Sequence, residues 1–130
     1  MLKWILIAVG GGFGSVLRYG MQGWVKQILA DRLFPVGTMC VNVLGCLAIG
    51  ILSGYFASPR GLKVPQEYRI GLLVGVLGGF TTFSTFGFET FDLLNDRQYG
   101  LAAVNIVLSC GLGLSAVWIG YRLMERLYGV

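Results

Sequence analysis

A chain of 130 residues is sized for one domain, taken here as residues 1–130. With 55% hydrophobic residues, 12% charged and a mean hydropathy of +0.74, it is too apolar and too charge-poor for a soluble globular fold. The net charge of +4 does not point to nucleic acid, because Lys and Arg sit at the ends of apolar stretches, where topology signals and lipid headgroup contacts belong. Long apolar runs of about 20 residues between those charges are what a bilayer core requires.

Several chemistries are excluded at the same level. There is no histidine, and Cys40, Cys46 and Cys110 lie in apolar stretches with no CxxC pairing, which argues against a disulfide framework or a metal cluster. The three thiols read as small buried hydrophobes. No Ser–His pairing exists, and the spans hold no carboxylate pair beyond Glu89 and Asp92, so no enzyme is expected.

The first span is expected over residues 4–24. Lys3 before an apolar run resembles a signal peptide, but glycines at 10–14 interrupt that run and more spans follow, so it reads as a retained helix. A polar turn with Asp31, Arg32 and Pro35 leads to a second span over 37–56, closed by Ser58 and Pro59. The link 60–66 carries Pro65, suited to a helix's first turn. The third element covers 67–94, residues 95–98 form a polar turn, and the fourth span covers 99–123, ending in an amphipathic 124–130. Short connections make neighbouring spans antiparallel, with both termini on one side. That side carries Lys3, Arg60, Lys63, Arg69, Arg122 and Arg126, against Lys26, Arg32 and Arg97 on the other, which favours cytoplasmic termini.

The 21 glycines fall at helical spacing: 10 and 14, 50 and 54, and 71, 75 and 79. Small residues four apart let helix backbones approach closely in lipid. The stripes Asn42–Cys46–Gly50–Gly54 and Asn105–Ser109–Gly113 add polar groups to such faces, either as helix–helix glue or as the border of a polar path.

The third element is not an ordinary lipid-facing helix. Gly78 and Gly79 precede Phe80, Thr81, Thr82, Phe83, Ser84, Thr85 and Phe86, a run that weakens the helical ladder and predicts a break near 78–82. Non-helical backbone at mid-membrane must be buried in protein or line a cavity. A break frees carbonyls suited to a cation and N–H groups suited to an anion. Phe83 and Phe86 share a face, and their positive ring edges beside Ser84, Thr85, Asn42 and Ser109 suit an anion held without a full countercharge. Arg18, inside the first span, and Glu89 form either a structural pair or a vestibule in which Arg18 draws anions.

The run from Gly78 to Phe86, followed by Glu89, resembles the signature of the Fluc/CrcB family of fluoride ion channels. Gly14-Ser15-Val16-Leu17-Arg18-Tyr19 is similar to its first-helix motif, and Gly37-Thr38 with Val41-Asn42 and Gly45 to its second. Asn105 and Ser109 stand where the fourth helix carries its polar positions. The resemblance covers nearly the whole chain. It implies an all-α integral membrane protein of four transmembrane helices with a broken third helix, assembled as an antiparallel, dual-topology homodimer in the plasma (inner) membrane. It further implies a structural sodium ion held by the carbonyls of Gly78 and Thr81, and fluoride pores lined by Asn42, Phe83, Ser84, Thr85, Phe86 and Ser109. The implied activity is passive fluoride export that protects the cell. Two other classes remain to be separated from it: a four-helix, dual-topology small-molecule exporter, which needs a first-helix carboxylate where this span has Arg18, and a non-transporting membrane assembly protein.

Overall fold

The structure, a computed structural model, describes residues 1–29, 33–59 and 63–129. Every element among them is helical: α1 (Leu2–Leu29), α2 (Val36–Ala57), α3 (residues 66–80), α4 (Phe83–Asn95) and α5 (Tyr99–Tyr128). Taking α3 and α4 as one interrupted span, four helices are long and apolar enough to cross a membrane, and the chain is a multi-pass membrane protein.

The expected spans are recovered, with the first and fourth longer than the hydrocarbon thickness demands. At 28 and 30 residues, α1 and α5 carry Lys26, Arg122 and Arg126 on turns that continue beyond it. The amphipathic tail is the last part of α5. It stops at Gly129, whose left-handed φ of 70° lets its N–H return to the Glu125 carbonyl at 2.9 Å. Pro35 and Pro65 immediately precede α2 and α3, where a missing N–H costs nothing. Arg32 and Arg60, two of the cations counted for orientation, lie outside the described residues.

Chain direction follows from the contacts. Gln22 meets Gly37, and Thr38 meets Glu89, so consecutive spans run antiparallel. The closest backbone approaches join parallel, next-but-one spans. A Cβ on Gly10 would stand 2.8 Å from the Gly71 carbonyl oxygen, and one on Gly79 would overlap the Gly11 carbonyl, welding α1 to α3. Likewise a Cβ on Gly50 would overlap the Val117 carbonyl, and one on Gly120 would stand 2.6 Å from the Leu47 oxygen, joining α2 to α5. Gly10 thus seats against Gly71 and Gly50 against Val117 in two parallel couples, the close packing that substitutes for a hydrophobic drive in lipid.

The break falls within the expected 78–82, and two features of α3 sharpen it. Residues Gly71–Leu77 are π-helical, a widened turn between α-helical Gln66–Ile70 and Gly78–Phe80. And Gly78 and Gly79 remain helical. The chain leaves the helix only at Thr81 (φ −86°, ψ 156°) and Thr82 (φ −150°, ψ 113°). Gly79 is recruited for contact with α1 rather than for bending, which leaves the break to the β-branched pair that follows.

The cysteine expectation is corrected. Cys40 and Cys46 are half-buried and Cys110 is exposed. A four-helix membrane protein has little interior, and its apolar residues turn outward: Phe13, Val16, Trp118 and Leu114 are among many large apolar side chains left open on the surface.

Candidate functional site

The break is built around one side chain from another helix. Asn42 on α2 donates from Nδ2 to the Thr82 carbonyl at 3.0 Å and accepts from the Thr82 N–H at 2.8 Å. Its carboxamide thus satisfies the N–H and the carbonyl of Thr82, where the helical ladder is interrupted. The incoming helix ends with Thr81, whose N–H and Oγ1 both bond the Leu77 carbonyl, at 3.0 and 2.9 Å. The outgoing helix starts with Thr82 as N-cap: its Oγ1 accepts from the Thr85 N–H at 3.2 Å and also meets the Ser84 and Thr85 hydroxyls, at 3.2 and 3.0 Å. Ser84 and Thr85 thus belong to the capping cluster.

Six of the residues expected at the site converge. Asn42, Gly78, Thr81, Phe83, Phe86 and Ser109 line one groove of about 330 Å³ between α2, the α3–α4 break and α5. None of its lining residues is charged. Phe83 is 82% exposed, and its ring lies 5.6 Å from that of Phe86 at an interplanar angle of 49°. Gly78 presents bare backbone to the same opening: nothing stands within 4 Å of where its Cβ would be. The lining is neutral throughout: glycine and threonine at 78 and 81, aromatic rings at Phe83 and Phe86, and hydroxyl and amide side chains at Ser109 and Asn42. No cluster of His, Cys, Asp and Glu able to hold a metal occurs among the described residues.

Behind the groove wall, Asn105 is 1% exposed and bonds Thr90 and Ser109, while the Thr90 hydroxyl bonds the Phe86 carbonyl at 2.7 Å. A polar line thus runs between α4 and α5.

The charged residues sit elsewhere. Glu89 accepts from the Thr38 hydroxyl at 2.8 Å, and Thr38 in turn accepts from Gln22 Nε2 at 3.0 Å. The second Glu89 oxygen is buried without a partner. Glu89 lies beside a wider cavity of about 770 Å³ at the end of the bundle, lined also by Lys26, Asp92, Asp96 and Gln98. An Arg18–Glu89 ion pair does not form. The one ion pair among the described residues is Arg122–Glu125 on the surface of α5. Arg18, half-buried on α1, lines neither cavity.

Sequence reasoning overlooked Thr82, Thr90 and Gln22 as site-building residues. For Thr82 a signal was available: a threonine three residues before Thr85 at the start of a helix is an N-cap pattern. Thr90 and Gln22 carry none, because a threonine or glutamine in an apolar helix is ordinary until its partner is known.

Comparison with known proteins covers almost the whole chain. Residues 5–121 match the family described as CrcB-like protein, Camphor Resistance (CrcB). A protein of Geobacter metallireducens named fluoride-specific ion channel FluC is 46% identical over 127 residues, 98% of this chain and 100% of its own. Proteins of the same name from Methylobacillus flagellatus and Geobacter sulfurreducens are 43% and 45% identical, over 96% and 95% of this chain and 96% and 97% of their own.

Proposed function

The chain belongs to the CrcB family, and from that premise we propose that it is a fluoride-specific channel, passive and not an enzyme, which lets fluoride leave the cell across the plasma membrane. The observation that carries the reading is the uncharged groove in which Phe83, Phe86, Asn42 and Ser109 meet. Fluoride is small and strongly hydrated, so a pore must replace its shell with donors and ring edges. Without a fixed countercharge the ion is held weakly enough to depart. Flow then follows the electrochemical gradient with no coupled step. The exporter alternative lacks its requirement, since α1 contains no carboxylate.

The groove is one wall of a pore, and a second copy of the chain completes it. Asn42, Thr81 and Ser109 each make a bond within the chain but keep further hydrogen-bonding capacity on an open face, which lipid does not meet. The break supports an antiparallel homodimer: it falls between helical halves of 15 and 13 residues, near the middle of its span, the one depth at which inverted copies coincide. Two breaks facing each other across the axis would offer the carbonyls of Gly78 and Thr81 twice over, hard neutral oxygens of the kind a sodium ion takes. A single chain supplies too few ligands, so the ion would bind only at the dimer axis and brace it.

The test is direct. Purified protein reconstituted into liposomes loaded with potassium fluoride is expected to release fluoride, read by a fluoride-selective electrode, and to retain chloride. Liposomes that keep their fluoride would overturn the reading and favour a non-transporting assembly protein.

A further inference from the structure

Asn105 is outside the groove lining, yet it is the one polar residue of α5 that is fully buried. Both ends of its amide are engaged. Nδ2 donates to Thr90 Oγ1 at 2.9 Å, and Oδ1 accepts from Ser109 Oγ at 3.2 Å. The Thr90 hydroxyl donates to the Phe86 carbonyl at 2.7 Å.

The direction of this chain of bonds follows from its last member. A backbone carbonyl can only accept, so the Thr90 proton is committed to Phe86. The Thr90 oxygen must then receive a donor, which turns Nδ2 of Asn105 towards it and Oδ1 towards Ser109. Ser109, on the groove wall, is left with an acceptor behind it that draws its proton away from the groove.

We propose that Asn105 is a positioning residue that holds the Ser109 hydroxyl proton and competes with the passing anion for it, with Thr90 fixing the orientation of the Asn105 amide. The proposal rests on the fluoride-channel reading and deepens it. An anion reaching Ser109 gains a hydrogen bond only by taking the proton from Asn105, so its net hold is small. Weak hold favours exit, and conduction needs exit as much as entry. Without the competing acceptor, Ser109 gives its proton to the anion freely, binding tightens and release slows.

The experiment measures initial fluoride efflux from liposomes against fluoride concentration for wild type, Asn105→Leu, Thr90→Val and Thr90→Ser, each also combined with Ser109→Ala. Oligomeric state is followed by size-exclusion chromatography. Asn105→Leu and Thr90→Val are expected to lower the half-saturating concentration about tenfold, the factor that one buried hydrogen bond contributes, and to lower the maximal rate. Thr90→Ser keeps the hydroxyl and should behave as wild type. In the Ser109→Ala background the half-saturating concentration should no longer respond to residue 105 or 90. A fall in maximal rate with an unchanged or raised half-saturating concentration would assign Asn105 to packing and overturn the proposal. Thr90→Val is nearly isosteric, and its half-saturating concentration decides the same question if Asn105→Leu fails to assemble. A wild-type protein that releases no fluoride would remove the channel reading itself, and the positioning role with it.

Discussion

Asn42 and Thr82, 40 positions apart in the chain, exchange two hydrogen bonds, so that one side-chain amide occupies the place of a missing helical turn. The third span can therefore be interrupted inside a membrane without leaving Thr82's peptide groups unpaired. Beyond those two bonds Asn42 retains one amide hydrogen for a ligand, since each carboxamide nitrogen carries two.

Removing that clamp is expected to damage both stability and transport. Asn42→Leu strips the partners from the N–H and the carbonyl of buried Thr82, a loss of about 2–6 kcal/mol at roughly 1–3 per group. Asn42→Asp keeps an acceptor for the Thr82 N–H but loses the donor to its carbonyl, so fluoride efflux should fall at least about tenfold while more of the protein still assembles. Thermal unfolding in detergent and electrode-monitored efflux read the two effects separately.

Phe83 gives the opposite combination. Its ring is largely exposed within the chain, so Phe83→Ile sacrifices little packing inside one subunit. Because the proposed pore uses the ring edge, efflux should drop about tenfold or more with the unfolding temperature of the protein little changed. Wild-type flux from a folded Phe83→Ile protein would contradict the role assigned to the ring pair.

Gly14 tests the packing of parallel spans. A Cβ there would overlap the Val76 carbonyl, which is backbone in a helix and has no freedom to swing aside. Gly14→Val is expected to push α1 from α3 and cost about 1–3 kcal/mol or more, seen as low yield and aggregated material on size exclusion. Gly12→Val on the same helix, where nothing lies within 4 Å, should purify normally.

Sodium is tested by exchange rather than by mutation, because backbone carbonyls cannot be substituted away. Protein purified and assayed with N-methylglucamine in place of sodium should show a lower unfolding temperature and lower efflux, and both should return with sodium. Equal stability in the two media would separate the Gly78 and Thr81 carbonyls from any cation.

Membrane residence, four spans and their alternation were legible in the chain because hydrophobic length and charge placement are local properties, set by what a bilayer demands of each segment. The neighbourhood of the break was legible for the same reason: glycine, threonine and serine at 78–86 disfavour a helix wherever they occur. Its exact place within 78–82 was not. Gly79 could either bend the chain or admit a neighbour, and only the presence of the Gly11 carbonyl against it decides for packing, moving the break to Thr81 and Thr82. The partners of the polar residues belong to tertiary structure as well. Glu89 bonds Thr38 rather than Arg18, and Asn105 joins Ser109 to the backbone of Phe86, because hydrogen bonds depend on distances between helices that no single helix encodes. Sequence alone determined that this protein has an interrupted helix in a membrane; packing decided where the interruption lies and which side chain from α2 makes it tolerable.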